Sequence, residues 1–120
     1  MSTQSKRGFC AMISIMLMSA CASAPEPTER MASAEAAMRA AKEVGSSSVP
    51  KAQLHNQLAQ EQFDQAKKAI ADGDNERAER LLERSKADAE LALAIAREST
   101  AEREATQAEA ALHGSGPASQ

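Results

Sequence analysis

Apolar residues return every three or four positions from Glu29 to Leu112, a helical rhythm broken only at Gly45-Ser-Ser-Ser-Val-Pro50 and at Asp72-Gly73-Asp74. Two breaks predict three helices. The first runs from about Glu29 to Val44, with Thr28 expected to cap the free amides of its first turn and Gly45 to supply the left-handed exit. Its stripe is Met31, Ala34, Met38 and Ala41. The second opens at Pro50, where proline suits the first helical position, and ends near Ala71 or Asp72. Leu54, Leu58, Phe63, Ala66 and Ile70 are expected along its inner side, with Ala59 filling the stripe. The third opens after Asp74, an N-cap residue followed by Glu76 at the positive end of the helix dipole. Ala78, Leu82, Ser85, Ala89, Ala92 and Ala96 form its seam, and it continues to Leu112, where His113-Gly-Ser-Gly-Pro117 stops it. Beyond Ile95 the only bulky apolar residue is Leu112. That part is expected to project into solvent, fraying or pairing with a partner helix through Ala101, Ala105, Ala108 and Leu112.

Composition narrows what these helices can build. From Cys21 onward there are 25 alanines but only 14 Val, Ile, Leu, Met and Phe residues, and aromatic residues make up 2% of the chain. Enzyme pockets are walled by bulky side chains, so no active site and no small-molecule substrate are expected. So few large apolar residues would ordinarily signal disorder. Alanine has the highest helix propensity, however, and with Glu, Lys, Arg and Gln it makes up most of the sequence, so propensity and pattern agree. Pairs at i,i+4 such as Asp64 with Lys68 add about 0.2–0.5 kcal/mol each. Short connections make neighbouring helices antiparallel. The expected fold is all-α: an Ala-rich helical hairpin or slim three-helix antiparallel bundle with a long C-terminal helix.

The N-terminal segment has a different character. Residues 1–7 are polar and include Lys6 and Arg7, and Gly8 to Met18 follow without a charge. Those eleven residues would span roughly 16 Å as a helix, about half the hydrocarbon core, which suits an export signal over residues 1–20 rather than a membrane span. Met18-Ser19-Ala20-Cys21 then resembles the lipobox of bacterial lipoproteins. That resemblance implies signal-peptidase recognition at Met18, Ser19 and Ala20, and a thioether from Cys21 to a diacylglyceryl group. With an N-acyl chain added there, no other cofactor is expected. Met18 stands where Leu is most usual, with similar volume. Cys10 would leave with the signal, so Cys21 would be the lone exported cysteine, with no disulfide framework. One acyl chain binds a bilayer weakly, whereas two or three make attachment effectively permanent. Ala22 in place of the Asp that marks inner-membrane retention points, on the same resemblance, to the outer membrane; the exported chain is expected to face the periplasm, with the cell surface as the alternative. Residues 21–28, which include Pro25 and Pro27, read as an extended spacer, residues 29–112 as the helical domain and residues 113–120 as a flexible tail.

Charge and candidate chemistry change this picture little. Without Lys6 and Arg7 the chain carries 12 basic and 17 acidic residues, a balance that repels nucleic-acid phosphate. His55 and His113 are the only histidines and are 58 residues apart. With Ala59 four residues after His55 and only Glu109 four before His113, the pattern of a helical zinc pair is missing; no metal is expected, and His55 is assigned to an exposed helix face. Asp72, Asp74 and Glu76 fail the calcium-loop series, with Arg77 where glycine belongs, and read as turn formers and a cap. Ser85 reads as a small residue on an alanine seam. The C-terminal Gly-Pro-Ala-Ser-Gln120 lacks the lysine through which trimeric alanine-zipper lipoproteins attach to peptidoglycan.

The order of these features resembles a family of small bacterial envelope lipoproteins defined by a domain of unknown function, number 4398. The resemblance covers about residues 17 to 100 and lies in Cys21, Pro25, Ala34, Ala41, Pro50, Leu54, Ala59, Ala66, the Gly73-Asp74 turn, Ala78, Leu82, Ala89 and Ala92. Asn75 departs from it, standing where an aromatic residue often follows the turn. It implies location and shape without an activity. The stretch from Gly73 to Leu82 is also similar to a tetratricopeptide hairpin, but the chain has room for at most two such units where about three are needed. The expected function is that of an outer-membrane lipoprotein with a structural or protein-interaction role and no catalysis. Its partners would be the membrane through its lipid anchor, and either another envelope protein or itself. The alternative is a repeat-like periplasmic binding adaptor modulating an envelope-assembly enzyme, with Asn56, Gln60 and Phe63 as its candidate contacts.

Overall fold

The computed structural model describes residues 25–114, and the proposed signal segment with Met18, Ser19, Ala20 and Cys21 lies outside them. Three helices account for nearly all of the described chain: α1 (Thr28–Glu43), α2 (Pro50–Ala71) and α3 (Asn75–Gly114). A single 3-10 turn, Ser46–Ser48, joins α1 to α2. At about 1.5 Å per residue, the 40 residues of α3 run roughly 60 Å. The all-α bundle with a long C-terminal helix is therefore the fold. None of the described helices is long and apolar enough to cross a membrane.

Local chemistry fixes the corners. Gly45 sits at φ 86° and ψ 31°, and its N–H donates to the Lys42 carbonyl at 3.0 Å, closing α1 through a conformation that side chains resist. At the end of α2, Gly73 has φ 77°; its N–H donates to the Ile70 carbonyl (2.9 Å) and that of Asp74 to the Ala69 carbonyl (2.8 Å). This pair of bonds is a Schellman motif, which satisfies carbonyls the helix would otherwise leave open. Asp74 then starts α3: its Oδ1 accepts the Arg77 N–H at 3.0 Å, and its carbonyl accepts that of Ala78 at 3.0 Å. The same residue ends one helix and begins the next, so α2 and α3 emerge antiparallel.

Thr28 does not cap α1. It is the first helical residue, Pro27 holds the N-cap position without a side-chain bond, and the Pro27 carbonyl accepts the Met31 N–H at 3.1 Å. The ring of Pro27 removes a donor just before the helix, and the helix begins one residue earlier than the threonine pattern implies. Asp64 pairs with Lys67 at 3.8 Å rather than with Lys68. Helix α3 continues two residues past Leu112 to Gly114.

The core is an alanine seam pinned by a few large side chains. On α3 the buried residues are Ala78, Leu81, Leu82, Ser85, Ala89, Ala92 and Ala96, the whole expected seam plus Leu81. Helix α1 contributes Ala34, Met38 and Ala41. On α2 the buried positions are Ala52, Ala59, Phe63, Ala66 and Ala69. Leu54 is 53% exposed and Leu58 only half-buried, so the inner face of α2 is not the leucine stripe. Ala52, Ala59 and Ala66 recur every seven residues, and Leu54 sits about 160° around the helix from Ala52. Methyl groups on facing helices let the backbones approach closely, and a leucine in their place would hold them apart. Phe63, Leu82, Leu81 and Met38 fill the remaining space. Burying a side chain of that size stabilises by about 1.5–3 kcal/mol, several times the value of a methyl group.

Candidate functional site

Four places with exposed or polar features stand out among the described residues. At the open end of α1, Arg30 forks between two acids of α3: its Nε donates to Glu79 Oε1 and its Nη1 to Glu83 Oε1, both at 2.6 Å. All three side chains are about half exposed, so each pair is worth at most about 1 kcal/mol. The fork fastens the start of α1 to α3.

Along the flank of the α2–α3 seam lies a small polar network. His55 Nδ1–H donates to Asp88 Oδ1 at 2.9 Å, and Gln62 Nε2 donates to Asp88 Oδ2 at 2.8 Å. His55 is thus half-buried against α3, not on an open face as its lone position suggested. Within the seam, Ser85 is fully buried and its hydroxyl donates to the Ala59 carbonyl at 2.8 Å. Ser85 is therefore more than a small residue: it bonds one helix to the other. The signal for His55 was available in the register. Once Ser85 stands opposite Ala59, antiparallel geometry brings Asp88, about one turn on, beside His55, about one turn back.

A histidine paired with a carboxylate can orient and move a proton when a reacting group is near. Among the described residues, the only side chain hydrogen-bonded to His55 is Asp88, and no three of His, Cys, Asp and Glu gather closely enough to hold a metal ion. The network bonds α2 to α3 through Asp88. Asp72 and Glu76 lie exposed on either side of the Asp74 cap, and His113 lies exposed at the far end of α3.

The third place is a shallow groove between the end of α1 and the side of α2, walled by Lys42, Ser46, Gln53, Asn56 and Gln60. Ser46 Oγ and Asn56 Oδ1 are buried there with no hydrogen-bond partner among the described residues. Phe63, one of the three residues expected to mark a binding face, is 4% exposed and belongs to the core. Asn56 and Gln60 do reach this groove.

The fourth place is the end of α3. Every residue from 101 to 114 is exposed, so about four turns of helix extend beyond the bundle. Ala101, Ala105 and Ala108 lie on this extension, with Leu112 at 75% exposure. A further exposed leucine, Leu91 at 44%, lies on the same helix behind the bundle.

The described residues thus form a small all-helical protein of one class, a slender alanine-seamed bundle whose last helix runs out past its own core. Residues 29–108 match the domain of unknown function DUF4398, and the chain belongs to that family. The match reaches eight residues past Thr100, so these turns of the projecting helix are part of the family's domain and not a tail appended to it. No curated protein and no solved structure matches the chain.

Proposed function

We propose that the protein is an outer-membrane lipoprotein, held through acyl chains on Cys21 and facing the periplasm, whose role is structural or protein-binding rather than catalytic. The observation that carries the interaction role is the exposed end of α3, a helix of good propensity that leaves its own bundle and presents alanines and a leucine to solvent. The anchor rests on the sequence Met18-Ser19-Ala20-Cys21 behind a short uncharged run, and the outer-membrane assignment on Ala22. Residues 22–27, with two prolines, then lift α1 off the bilayer.

The test is intact-mass spectrometry of the protein from membrane fractions, beside a Cys21→Ala variant. A chain starting at Cys21 with two or three acyl chains, absent from the variant, is the expected result. A chain starting at Pro25, or unprocessed Met1, would remove the anchor. A second reading, a periplasmic binding adaptor modulating an envelope-assembly enzyme, is favoured by the unpartnered Ser46 Oγ and Asn56 Oδ1 in the α1–α2 groove. Loss of peptide binding on Asn56→Leu, with the fold intact, would move the weight to it.

A further inference from the structure

Helix α3 has two apolar faces. One is the buried seam. The other runs along its back: Leu91, Ala94, Ala101, Ala105, Ala108 and Leu112, all exposed, at successive spacings of three, seven, four, three and four. At about 100° per residue these positions gather on one side, roughly opposite Ala78, Ala89 and Ala96. Ala87 continues the row on one side, and Glu98 fills its one gap. The row lies half behind the bundle and half on the projection.

We infer that this face is occupied by the same face of a second copy, with the two α3 helices antiparallel, so that the projection of each lies against the back of the other's bundle. This deepens the interaction role proposed above by naming the partner, and it does not depend on lipidation. In that register Leu91 faces Ala108 of the second copy, Leu112 faces its Ala87, Ala94 faces its Ala105, and Glu98 faces its Ala101. Each large side chain meets a small one, the alternation that lets facing helices interdigitate.

Charge selects the same arrangement. Arg97 and Glu104 have no ion-pair partner within the chain among the described residues, and helical neighbours three and four away offer none. In the antiparallel register they flank the contact opposite one another, and symmetry makes two Arg97–Glu104 pairs. Asp88 and Glu109 flank it as well, but Asp88 is turned to His55 and Gln62. A parallel pair would set Glu98 against Glu98 in the apolar row and Glu104 near Glu109. Like charges in a seam penalise that alternative. The contact is about 38 Å long and one helix wide, below the roughly 800 Å² per partner of a typical stable complex. The dimer is accordingly a reversible one, of the weak class that small interfaces form.

The experiment uses the full chain in detergent micelles with Cys10→Ser and Cys21→Ser, so that failure of the anchor and failure of the dimer are separate results. Ala94→Cys and Ala105→Cys proteins are oxidised singly and mixed. The expected outcome is a disulfide-linked pair only in the mixture, joining position 94 to position 105. Self-linkage of each protein alone would show parallel helices and overturn the proposal, as would no linkage at all. Sedimentation of the same background without the introduced cysteines should show the mass doubling between about 1 and 500 µM. Ala105→Glu should hold it at the monomer mass with helical content unchanged, whereas Glu98→Leu should tighten association several-fold. A monomer throughout that range would overturn the proposal independently.

Discussion

The two parts of α3 are both alanine-rich helix and have opposite fates. Residues 75–100 bury four alanines, two leucines and a serine, whereas residues 101–114 contain five alanines and bury none. Helix propensity is high in both, so it does not separate them. What separates them is what stands opposite. Against the first part lie Phe63, Met38 and the close-packed alanines of α1 and α2; α2 ends in sequence register with the start of α3, and neither α1 nor α2 is long enough to follow α3 past Thr100. An alanine is a core residue only where a partner helix comes close enough to make its methyl group a contact.

The sharpest way to break this comparison is to remove the largest side chain from one region and its nearest counterpart from the other. Phe63→Ala should cost about 3–5 kcal/mol, read as a fall in the urea midpoint, because a ring at 4% exposure leaves a cavity that the small neighbours cannot fill. Total stability of such domains is about 5–15 kcal/mol, so the variant will be largely unfolded if the bundle lies at the lower end. Leu112→Ala, at 75% exposure, should leave the midpoint unchanged within about 0.5 kcal/mol. Equal effects would mean that the projection is part of the cooperative unit.

Enlarging an alanine tests the same contrast from the other side. Ala89 is fully buried, and Ala89→Leu should force α3 away from its neighbours at a cost of about 1–3 kcal/mol. Ala108→Leu, measured at a concentration where the chain is monomeric, should stay within about 0.5 kcal/mol. A silent Ala89→Leu would show that the seam is looser than its burial indicates.

How much of this was legible in the sequence follows the same logic. The seam of α3 could be read directly, since Ala78, Leu82, Ser85, Ala89, Ala92 and Ala96 keep a strict alternation of three and four. Both corners could be read from Gly45, Gly73 and Asp74, because positive φ and capping leave few residue choices. Helix α2 was misread where size was taken for burial: Leu54 and Leu58 are larger than Ala52 and Ala59 but lie off the heptad that meets α3. His55 was misplaced for a related reason. A polar residue flanking an alanine seam is covered or open according to what the facing helix puts beside it, and that needed the Ala59–Ser85 register. The role of Thr28 turned on Pro27, whose effect on the first turn is local but was outweighed by the threonine pattern.

A smaller effect is expected at the corner that sets the register. Asp74→Ala removes the acceptor of the Arg77 N–H while leaving the Schellman bonds of Gly73 and residue 74 in place, and should cost about 1 kcal/mol. Asp74→Asn should recover most of that, since an amide oxygen caps nearly as well. If the loss persists in the asparagine variant, the cap hydrogen bond is not its cause.

The smallest effect on the bundle should come from a substitution that damages the projection most. Glycine costs about 1 kcal/mol relative to alanine within a helix, and Ala105 stands in the middle of turns held by their backbone bonds and by short-range side-chain bonds such as that from the Thr106 hydroxyl to the Glu102 carbonyl at 2.9 Å. Ala105→Gly should therefore reduce the helical signal at 222 nm and speed amide exchange from about residue 101 onward. It should leave the urea midpoint of the bundle within about 0.5 kcal/mol, because no packed contact of residues 28–100 is touched. At concentrations that populate the dimer, the same variant should weaken association, since ordering the frayed turns would then oppose it. If exchange beyond residue 101 proves as slow as in the seam even for the monomer, those turns are supported by contacts within the chain, and the distinction between the two parts of α3 fails.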